Sequence, residues 1–184
     1  MIAEKKELRK EMARRRGAVH GVVDPAPALA LLDKMLADAS DPVSFYWPIR
    51  TEIDPRPVLE SLSARVAVCL PVTDGLAALS FRAWAPGAAM DVDGFGVAVP
   101  RDGVEVVPKT LVVPMLGFDA ACQRLGYGAG HYDRTLDGLK ALGPVRTIGF
   151  AYAAQRLDAA LPAEPTDQPL DMIVTEEGVV RPVV

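Results

Sequence analysis

The segment from Leu111 to Leu136 constrains the fold more than any other part of the chain. Its first residues, Leu111–Val113, form an apolar and β-branched run that predicts a buried strand, and Pro114 ends that strand. After a glycine-rich loop, an apolar periodicity predicts a helix from Asp133 to Leu142. The segment therefore predicts a strand, a loop and a helix in direct succession, which is a building block of α/β proteins.

The loop of this segment has glycines at alternate positions, Gly126, Gly128 and Gly130. Glycine tolerates positive φ angles and lets a ligand approach the main chain closely. In a loop that leads into a helix, backbone N–H groups and the helix N-terminus then face a bound anion. The same glycines are equally typical of a tight structural turn, so the pattern alone leaves a phosphate site and a plain turn open.

Short apolar runs alternate with helical patterns along the rest of the chain. The predicted strands are Val43–Trp47, Val66–Leu70, Leu79–Trp84, Leu111–Val113, Val145–Phe150 and Leu170–Thr175. The predicted helices are Ile2–Arg16, which Gly17 to Gly21 ends, Pro25–Ala39, Pro55–Ser63 with Asp54 as its N-cap, and Asp133–Leu142. Residues 86–100 are expected to be an irregular surface loop with a short strand. This alternation predicts one α/β domain over residues 1–184 with a largely parallel sheet.

Bulk properties exclude several classes of function. The net charge of −4 argues against broad binding to nucleic acids or membrane surfaces, and no apolar run approaches the length of a membrane span. The N-terminal residues lack the apolar centre of a signal peptide. Cys69 and Cys122 form no metal-binding pattern, and Cys69 lies in an apolar run that predicts a core position. We therefore expect a cytoplasmic protein, and a monomer, because no long apolar helix face stands out.

Charged residues stand where a phosphate site needs them. Lys5 and Arg9 are four residues apart and share one face of the first helix, and Arg124 precedes the glycines. Asp133 follows the glycines and Asp167 precedes the last strand, so either carboxylate could hold Mg²⁺ beside a phosphate. The basic helix face is also typical of an ordinary solvated surface.

Glu52 lies just beyond the predicted strand Val43–Trp47. Asp54 has a structural role as a helix cap, whereas Glu52 has none that the sequence shows. A carboxylate past the end of a buried strand is well placed for a ligand in an open α/β sheet, but it is also commonly just solvated. With no convincing Ser–His–Asp or Cys–His set, the residues alone indicate an α/β protein with a phosphate or nucleotide site.

The loop Arg124-Leu125-Gly126-Tyr127-Gly128-Ala129-Gly130-His131-Tyr132-Asp133 closely resembles the signature of the 5-formyltetrahydrofolate cyclo-ligase family, also called methenyltetrahydrofolate synthetases. The preceding Val113-Pro114 and Gly117-Phe118-Asp119 are similar to the lead-in of the same family. Shorter matches occur in the order of the family at Lys5–Arg9, at Glu52-Ile53-Asp54, and from Asp167 to Glu176. The resemblance thus covers nearly the whole chain.

This resemblance implies a fold and a reaction. The fold is a three-layer α/β/α sandwich. The reaction is an ATP- and Mg²⁺-dependent cyclisation of 5-formyltetrahydrofolate to 5,10-methenyltetrahydrofolate, with release of ADP and phosphate. In the implied mechanism the formyl oxygen is phosphorylated, N10 of the folate attacks, and phosphate leaves. Positioning and charge neutralisation suffice for such phosphoryl transfer, so no protein nucleophile is required.

The resemblance also implies site residues. ATP would be bound by Lys5, Lys6, Glu7, Leu8 and Arg9, and by Arg124, Leu125, Gly126, Tyr127, Gly128, Ala129, Gly130, His131 and Tyr132. The folate would contact Glu52, Trp84, Tyr127, His131 and Tyr132. Arg124, His131 and Tyr132 would be catalytic, and Asp133 and Asp167 would hold Mg²⁺. The alternatives are a phosphate-ester or CoA-transfer enzyme on the same fold, and a nucleotide-binding module without catalysis.

Two positions depart from the common family pattern. Many members have a basic residue where this chain has Tyr127, and a tyrosine where it has His131. We therefore expect Lys5 and Arg124 to carry more of the charge that neutralises the phosphates.

Overall fold

The computed structural model describes residues 2–182, except for the side chains of residues 2 and 3. The helices are α1 (Ile2–Val19), α2 (Ala26–Met35), α3 (Arg56–Ser63) and α4 (His131–Leu142), with a short 3₁₀ turn at Ala153–Gln155. The first strands are β1 (Val43–Ser44), β2 (Val68–Val72), β3 (Ser80–Trp84), β4 (Met90–Val92) and β5 (Ala98–Pro100). The remaining strands are β6 (Thr110–Val113), β7 (Gly117–Phe118), β8 (Arg124–Leu125), β9 (Arg146–Phe150), β10 (Met172–Thr175) and β11 (Gly178–Val180).

The central sheet has seven strands in the order β11-β10-β9-β6-β1-β2-β3. The five inner strands are parallel, and the two edge strands, β3 and β11, are antiparallel to their neighbours. The chain runs from β1 to β2 and β3 on one side, then returns to β6 on the other side of β1. Ligands of open α/β sheets bind at the carboxyl ends of the strands where the strand order reverses, which here is between β1 and β6.

Helices cover both faces of the sheet because successive strand residues point to opposite sides. In β6, Val112 packs in a core cluster with residues of α2 and α3, including Leu32 and Leu59. Its neighbours Leu111 and Val113 pack in a second cluster that contains Leu136 and Leu139 of α4. All of these strand residues are fully buried. The predicted α/β class and the three-layer sandwich are therefore confirmed.

Some predicted boundaries were wrong. Helix α1 continues through Gly17 to Val19, because Val19 packs against the core and its burial outweighs the roughly 1 kcal/mol cost of a helical glycine. Helix α3 begins at Arg56, one residue later than predicted, and the Asp54 carboxylate still accepts a hydrogen bond from the Arg56 N–H at 2.9 Å. Residues 86–100, expected to hold one short strand, form the β4–β5 hairpin.

Other predictions agree with the fold. Cys69 is fully buried in the core, as predicted, and Cys122 is also buried. Within residues 2–182 there is no helix with both the length and the apolar character needed to cross a membrane.

Candidate active site

A cavity of about 1110 Å³ opens at the carboxyl ends of the parallel strands. Its walls come from the loop after β1, the loop after β2, the β4–β5 hairpin, the loop from β8 into α4, one face of α1 and residues 164–168. Known pockets for small molecules occupy about 300–1000 Å³, so the cavity has room for a large ligand or for two ligands side by side.

The glycine loop forms one wall and leads directly into α4. Gly130 is the N-cap residue in a left-handed conformation, with φ of 69°, and Gly128 has φ of 104°. A Cβ atom at residue 128 would lie 3.2 Å from Cζ of Arg9, so this position needs glycine for its backbone and for close approach. Gly126 has no positive φ and open space around it, so only two of the three glycines are required by the local structure.

Helix α1 contributes the cations Lys5 and Arg9 to this end of the cavity. Arg9 donates a hydrogen bond from Nε to the carbonyl oxygen of Gly126 at 2.9 Å, which ties the helix to the glycine loop. The intervening residues Lys6 and Glu7 are exposed, and Leu8 packs in a small apolar cluster outside the cavity. Of the five residues assigned here by resemblance, only Lys5 and Arg9 line the cavity.

Arg124 and Asp133 form a largely buried ion pair. Nη2 of Arg124 lies 2.6 Å from Oδ1 of Asp133, and the Arg124 side chain is 5% exposed. Arg124 also donates to the Gln168 carbonyl, and Asp133 accepts from the Gln168 N–H at 3.1 Å. Burial lowers the pKa of Arg124, while the Asp133 carboxylate opposes that shift. The pair holds a cation beside the glycine loop and fixes the segment that carries Asp167.

Lys5 and Asp167 also lie together, with Nζ of Lys5 at 2.9 Å from Asp167 Oδ2 and at 3.1 Å from Glu164 Oε1. Burial alone lowers the pKa of Lys5, but its hydrogen bonds to these two carboxylates outweigh that effect and raise it. Burial alone raises the pKa of Asp167, but hydrogen bonds from the Glu164 N–H and Lys5 lower it. Sequence patterns did not reveal Glu164, because it stands in a loop without a recognisable motif.

The carboxylates at this end of the cavity are candidate ligands for Mg²⁺. Asp133 and Asp167 both line the cavity, but each is paired with a cation, and no cluster of three or more His, Cys, Asp or Glu residues suited to a metal occurs among residues 2–182. Mg²⁺ is usually held by one or two carboxylates together with phosphate oxygens and water. The site therefore fits Mg²⁺ that is bound jointly with a phosphate ligand. Asp171 takes no part, because its carboxylate binds Thr147 near the amino end of β9.

The other end of the cavity contains a buried carboxylate, Glu52, which is 5% exposed. Its Oε2 accepts from the Ile49 N–H at 2.9 Å, and its Oε1 accepts from the Tyr127 hydroxyl at 2.9 Å. Burial raises the pKa of Glu52, while these donors and the charges of Arg16 and Arg50 oppose the rise. Glu52 thus belongs to a structured hydrogen-bond network, and the option of a merely solvated loop carboxylate is wrong.

Aromatic side chains surround this end. Tyr46, Trp47, Tyr127 and Tyr132 line the cavity, and the Arg56 guanidinium lies 5.1 Å above the Trp47 ring. Trp84, assigned to the folate by resemblance, does not line the cavity and packs in the core with its ring centre 6.4 Å from that of Trp47. Sequence reasoning missed Trp47 because it was read as the end of a buried strand, whereas β1 ends at Ser44 and Trp47 lies in the loop that follows. Its position before Pro48 was the available signal.

His131 and Tyr132 occupy the first turn of α4 at the cavity wall. Nε2 of His131 lies 2.9 Å from the Gly75 carbonyl oxygen, and its ring meets the Phe95 ring edge-on at 5.4 Å. Burial raises the pKa of Tyr132 far above its usual value, so this hydroxyl stays neutral and can donate a hydrogen bond. His131 therefore connects α4 to the loop after β2 and to the β4–β5 hairpin.

Comparisons with known proteins point to one family. A model of the 5-formyltetrahydrofolate cyclo-ligase family matches residues 1–176. The 5-formyltetrahydrofolate cyclo-ligase of Escherichia coli K12 is 33% identical over 145 residues, which are 74% of this chain and 79% of that protein. The enzyme of the same name from Haemophilus influenzae is 34% identical over 141 residues, which are 72% and 74% of the two chains.

Solved structures agree with this assignment. The 5,10-methenyltetrahydrofolate synthetase of Aquifex aeolicus superposes with a TM-score of 0.74 at 27% identity, covering 96% of this chain and 92% of that one. The Mycoplasma pneumoniae 5,10-methenyltetrahydrofolate synthetase, at 22% identity and a TM-score of 0.72, supports the fold alone and covers 94% and 99% of the chains. The chain therefore belongs to the 5-formyltetrahydrofolate cyclo-ligase family of enzymes.

Proposed function

We propose that this enzyme uses ATP and Mg²⁺ to cyclise 5-formyltetrahydrofolate to 5,10-methenyltetrahydrofolate, with release of ADP and phosphate. One observation carries the proposal. A single cavity has a cationic glycine loop at one end and a buried carboxylate among aromatic rings at the other. The first end suits a nucleoside triphosphate, and the second suits a flat, hydrogen-bonding ring system such as that of a folate.

Lys5, Arg9 and Arg124 would neutralise the phosphates, together with backbone N–H groups at the start of α4. Asp133 and Asp167 would hold Mg²⁺ jointly with phosphate oxygens. Lys5 is already paired with Asp167 and Glu164, and Arg124 is paired with Asp133. Nucleotide binding would then exchange part of each pair for contacts to phosphate and metal.

Glu52 would accept hydrogen bonds from the N–H groups of the folate ring, and Trp47 and Tyr127 would contact its faces. The neutral Tyr132 hydroxyl, on the turn that follows the glycine loop, would donate to a polar group between the two substrates. His131 would close the site from the side of the β4–β5 hairpin through its contacts to Gly75 and Phe95.

The reaction needs a leaving group, because a formamide oxygen does not leave unaided. ATP would supply the phosphoryl group that converts this oxygen into a phosphate ester as ADP leaves. N10 of the folate would then form the new C–N bond and lose its proton to solvent, and the C–O bond would break to release phosphate. Arg124 and Lys5 would stabilise the charge that develops on the transferred group. Positioning and charge stabilisation account for such a transfer, so no nucleophilic side chain is required.

The test is to follow the absorbance of 5,10-methenyltetrahydrofolate formed from 5-formyltetrahydrofolate with and without ATP, and with Mg²⁺ present or chelated. Lys5→Met should lose about 10²–10³-fold in kcat/KM for ATP, because one phosphate partner is removed. Lys10→Met is the matched control, since Lys10 is on the same helix, exposed and paired with Glu7. If the wild-type enzyme formed no ATP-dependent product, the proposed function would be refuted. A phosphate-ester enzyme, a CoA transferase or a non-catalytic module would give that result.

A further inference from the structure

Three consecutive arginines end the basic part of α1, and only the last of them is buried. Arg14 and Arg15 are exposed and pair with Glu11 on the helix surface. Arg16 is 2% exposed and is among the largest fully buried side chains. A buried guanidinium is costly unless every donor has a partner, so the position of Arg16 calls for a specific reason.

Arg16 does not line the cavity but lies directly behind its folate end. Its Nη2 donates to the Tyr127 hydroxyl at 2.8 Å, its Nε donates to Thr51 Oγ1 at 3.0 Å, and its Nη1 donates to the Met115 carbonyl at 3.3 Å. Nη1 is also 3.7 Å from Oε1 of Glu52. The guanidinium therefore joins the loop after β1, the loop after β6 and the glycine loop.

The donor count decides the direction of the Tyr127 proton. Arginine has donors and no acceptor, so the Tyr127 hydroxyl must accept from Arg16 with a lone pair. Its single proton is then free for one acceptor, and Glu52 Oε1 lies 2.9 Å away. Arg16 thus forces Tyr127 to donate to Glu52. With Oε2 held by the Ile49 N–H, both carboxylate oxygens have a set orientation.

We propose that Arg16 is a positioning residue that holds Glu52 and Tyr127 in the arrangement that receives the folate ring. This inference rests on the proposed function and adds a residue to it. Arg16 follows Arg9 by seven residues, or two helical turns, so one face of α1 serves both ends of the cavity. Arg9 holds Gly126, and Arg16 holds the adjacent Tyr127.

The positioning role predicts an effect on the pH dependence of folate binding. The titratable and charged groups that face Glu52 are Arg16 from α1, Arg50 from its own loop, Tyr46 after β1, Tyr127 from the glycine loop and Tyr132 from α4. The three tyrosines all have pKa values raised above their usual range, to about 12 for Tyr127. Burial also raises the pKa of Glu52, and the tyrosines stay neutral over the range in which this carboxylate gains its proton.

Arg16 lowers the pKa of Glu52 by its charge, so its removal should raise that pKa further. Protonated Glu52 loses acceptor capacity for the N–H groups of the ring. As the pH is lowered, folate binding by an Arg16→Met variant should therefore begin to weaken at a higher pH than folate binding by the wild-type enzyme does.

The experiment measures the dissociation constant of 5-formyltetrahydrofolate without ATP, by calorimetry from about pH 5 to pH 9, and the KM for ATP in turnover. The variants are Arg16→Met, Arg16→Lys and, as matched control, Arg15→Met. The pH profile of Arg15→Met also shows how much of the pH dependence comes from titration of the ligand itself. We expect Arg16→Met to weaken folate binding about 10- to 100-fold at neutral pH and to shift the profile upward, with the KM for ATP within about twofold. Arg16→Lys should keep the wild-type position of the profile, because its charge remains, and lose about three- to tenfold in affinity, because it makes fewer hydrogen bonds.

An Arg16→Met variant that binds folate like Arg15→Met, or that loses both substrates equally with an unshifted profile, would overturn the inference. If circular dichroism shows that Arg16→Met does not fold, Arg16→Lys and Tyr127→Phe decide it. Tyr127→Phe removes the hydroxyl link to Glu52 and should weaken folate binding as much as Arg16→Lys does or more, while equal binding by both variants and the wild type would overturn the inference. Failure of the wild-type enzyme to bind 5-formyltetrahydrofolate at any pH would instead refute the proposed function.

Discussion

Gly128 is the position where the glycine loop and helix α1 constrain each other most tightly. Its φ of 104° is rare for residues with a side chain, and holding alanine there costs about 1–3 kcal/mol. The new Cβ would also lie 3.2 Å from Cζ of Arg9, so the guanidinium must move. That movement endangers the Arg9–Gly126 hydrogen bond, which contributes about 1–2 kcal/mol. We expect Gly128→Ala to lower the free energy of unfolding by about 2–4 kcal/mol and to raise the KM for ATP.

Gly126→Ala is the matched control for stability, because its φ is not positive and nothing lies within 4 Å of the added atom. Urea denaturation should show a change of less than about 1 kcal/mol for this variant. In an Arg9→Ala background the displaced guanidinium is absent, so Gly128→Ala should cost about 1 kcal/mol less than it does in the wild type. If Gly128→Ala lowered the free energy of unfolding no more than Gly126→Ala does, Arg9 and the backbone would not restrict position 128 to glycine, and the expectation would be refuted.

Three further predictions concern the two ends of the cavity. Asp133→Asn leaves the buried Arg124 without its carboxylate and removes a proposed Mg²⁺ ligand, so steady-state kinetics should show a loss of about 2–4 kcal/mol of transition-state stabilisation; unchanged kcat/KM would refute both roles. Because the pKa of Asp167 is lowered, its pair with Lys5 stabilises the fold fully at pH values above the ordinary pKa of 3.8. This stabilisation is lost as the pH falls through the lowered pKa. Lys5→Met should therefore lose less stability than the wild type when acidified below about pH 4, as followed by circular dichroism. Trp47→Phe should reduce the quenching of tryptophan fluorescence by 5-formyltetrahydrofolate, since Trp47 lines the cavity whereas Trp84 packs in the core behind it; undiminished quenching in the variant would place the folate elsewhere.

Much of the fold was predictable because the strands are short β-branched runs separated by prolines and helical patterns. The layer arrangement follows from alternation, as Val112 and its neighbours in β6 show by packing on opposite faces. Boundaries were less predictable because they depend on tertiary contacts. Gly17 stays helical since Val19 beyond it has a core to pack against, and no local pattern in the sequence reports that.

The grouping of Lys5, Arg9, Arg124 and the glycine loop at one cavity was also accessible to sequence reasoning, since these residues have a recognisable pattern. The aromatic lining around Glu52 was not. Trp84 was assigned to the folate, but it lies in β3 and packs in the core, whereas Trp47, in the loop after β1, lines the cavity. Arg16 was concealed in a run of three arginines that suggests a solvated surface. Its helical spacing from Arg9, with the core residue Met12 between them on the same face, was the signal that distinguishes it.

The departure of this chain from the common family pattern at Tyr127 follows from the same geometry. A basic side chain at this position would bring a second cation next to the buried Arg16, whereas the tyrosine hydroxyl accepts from Arg16 and donates to Glu52. Position 127 therefore belongs to the carboxylate end of the cavity in this protein, and the proposed neutralisation of phosphate charge would rest on Lys5, Arg9 and Arg124. Because two arginines of α1 hold adjacent residues of one loop, docking of this single helix would order both proposed substrate sites at once.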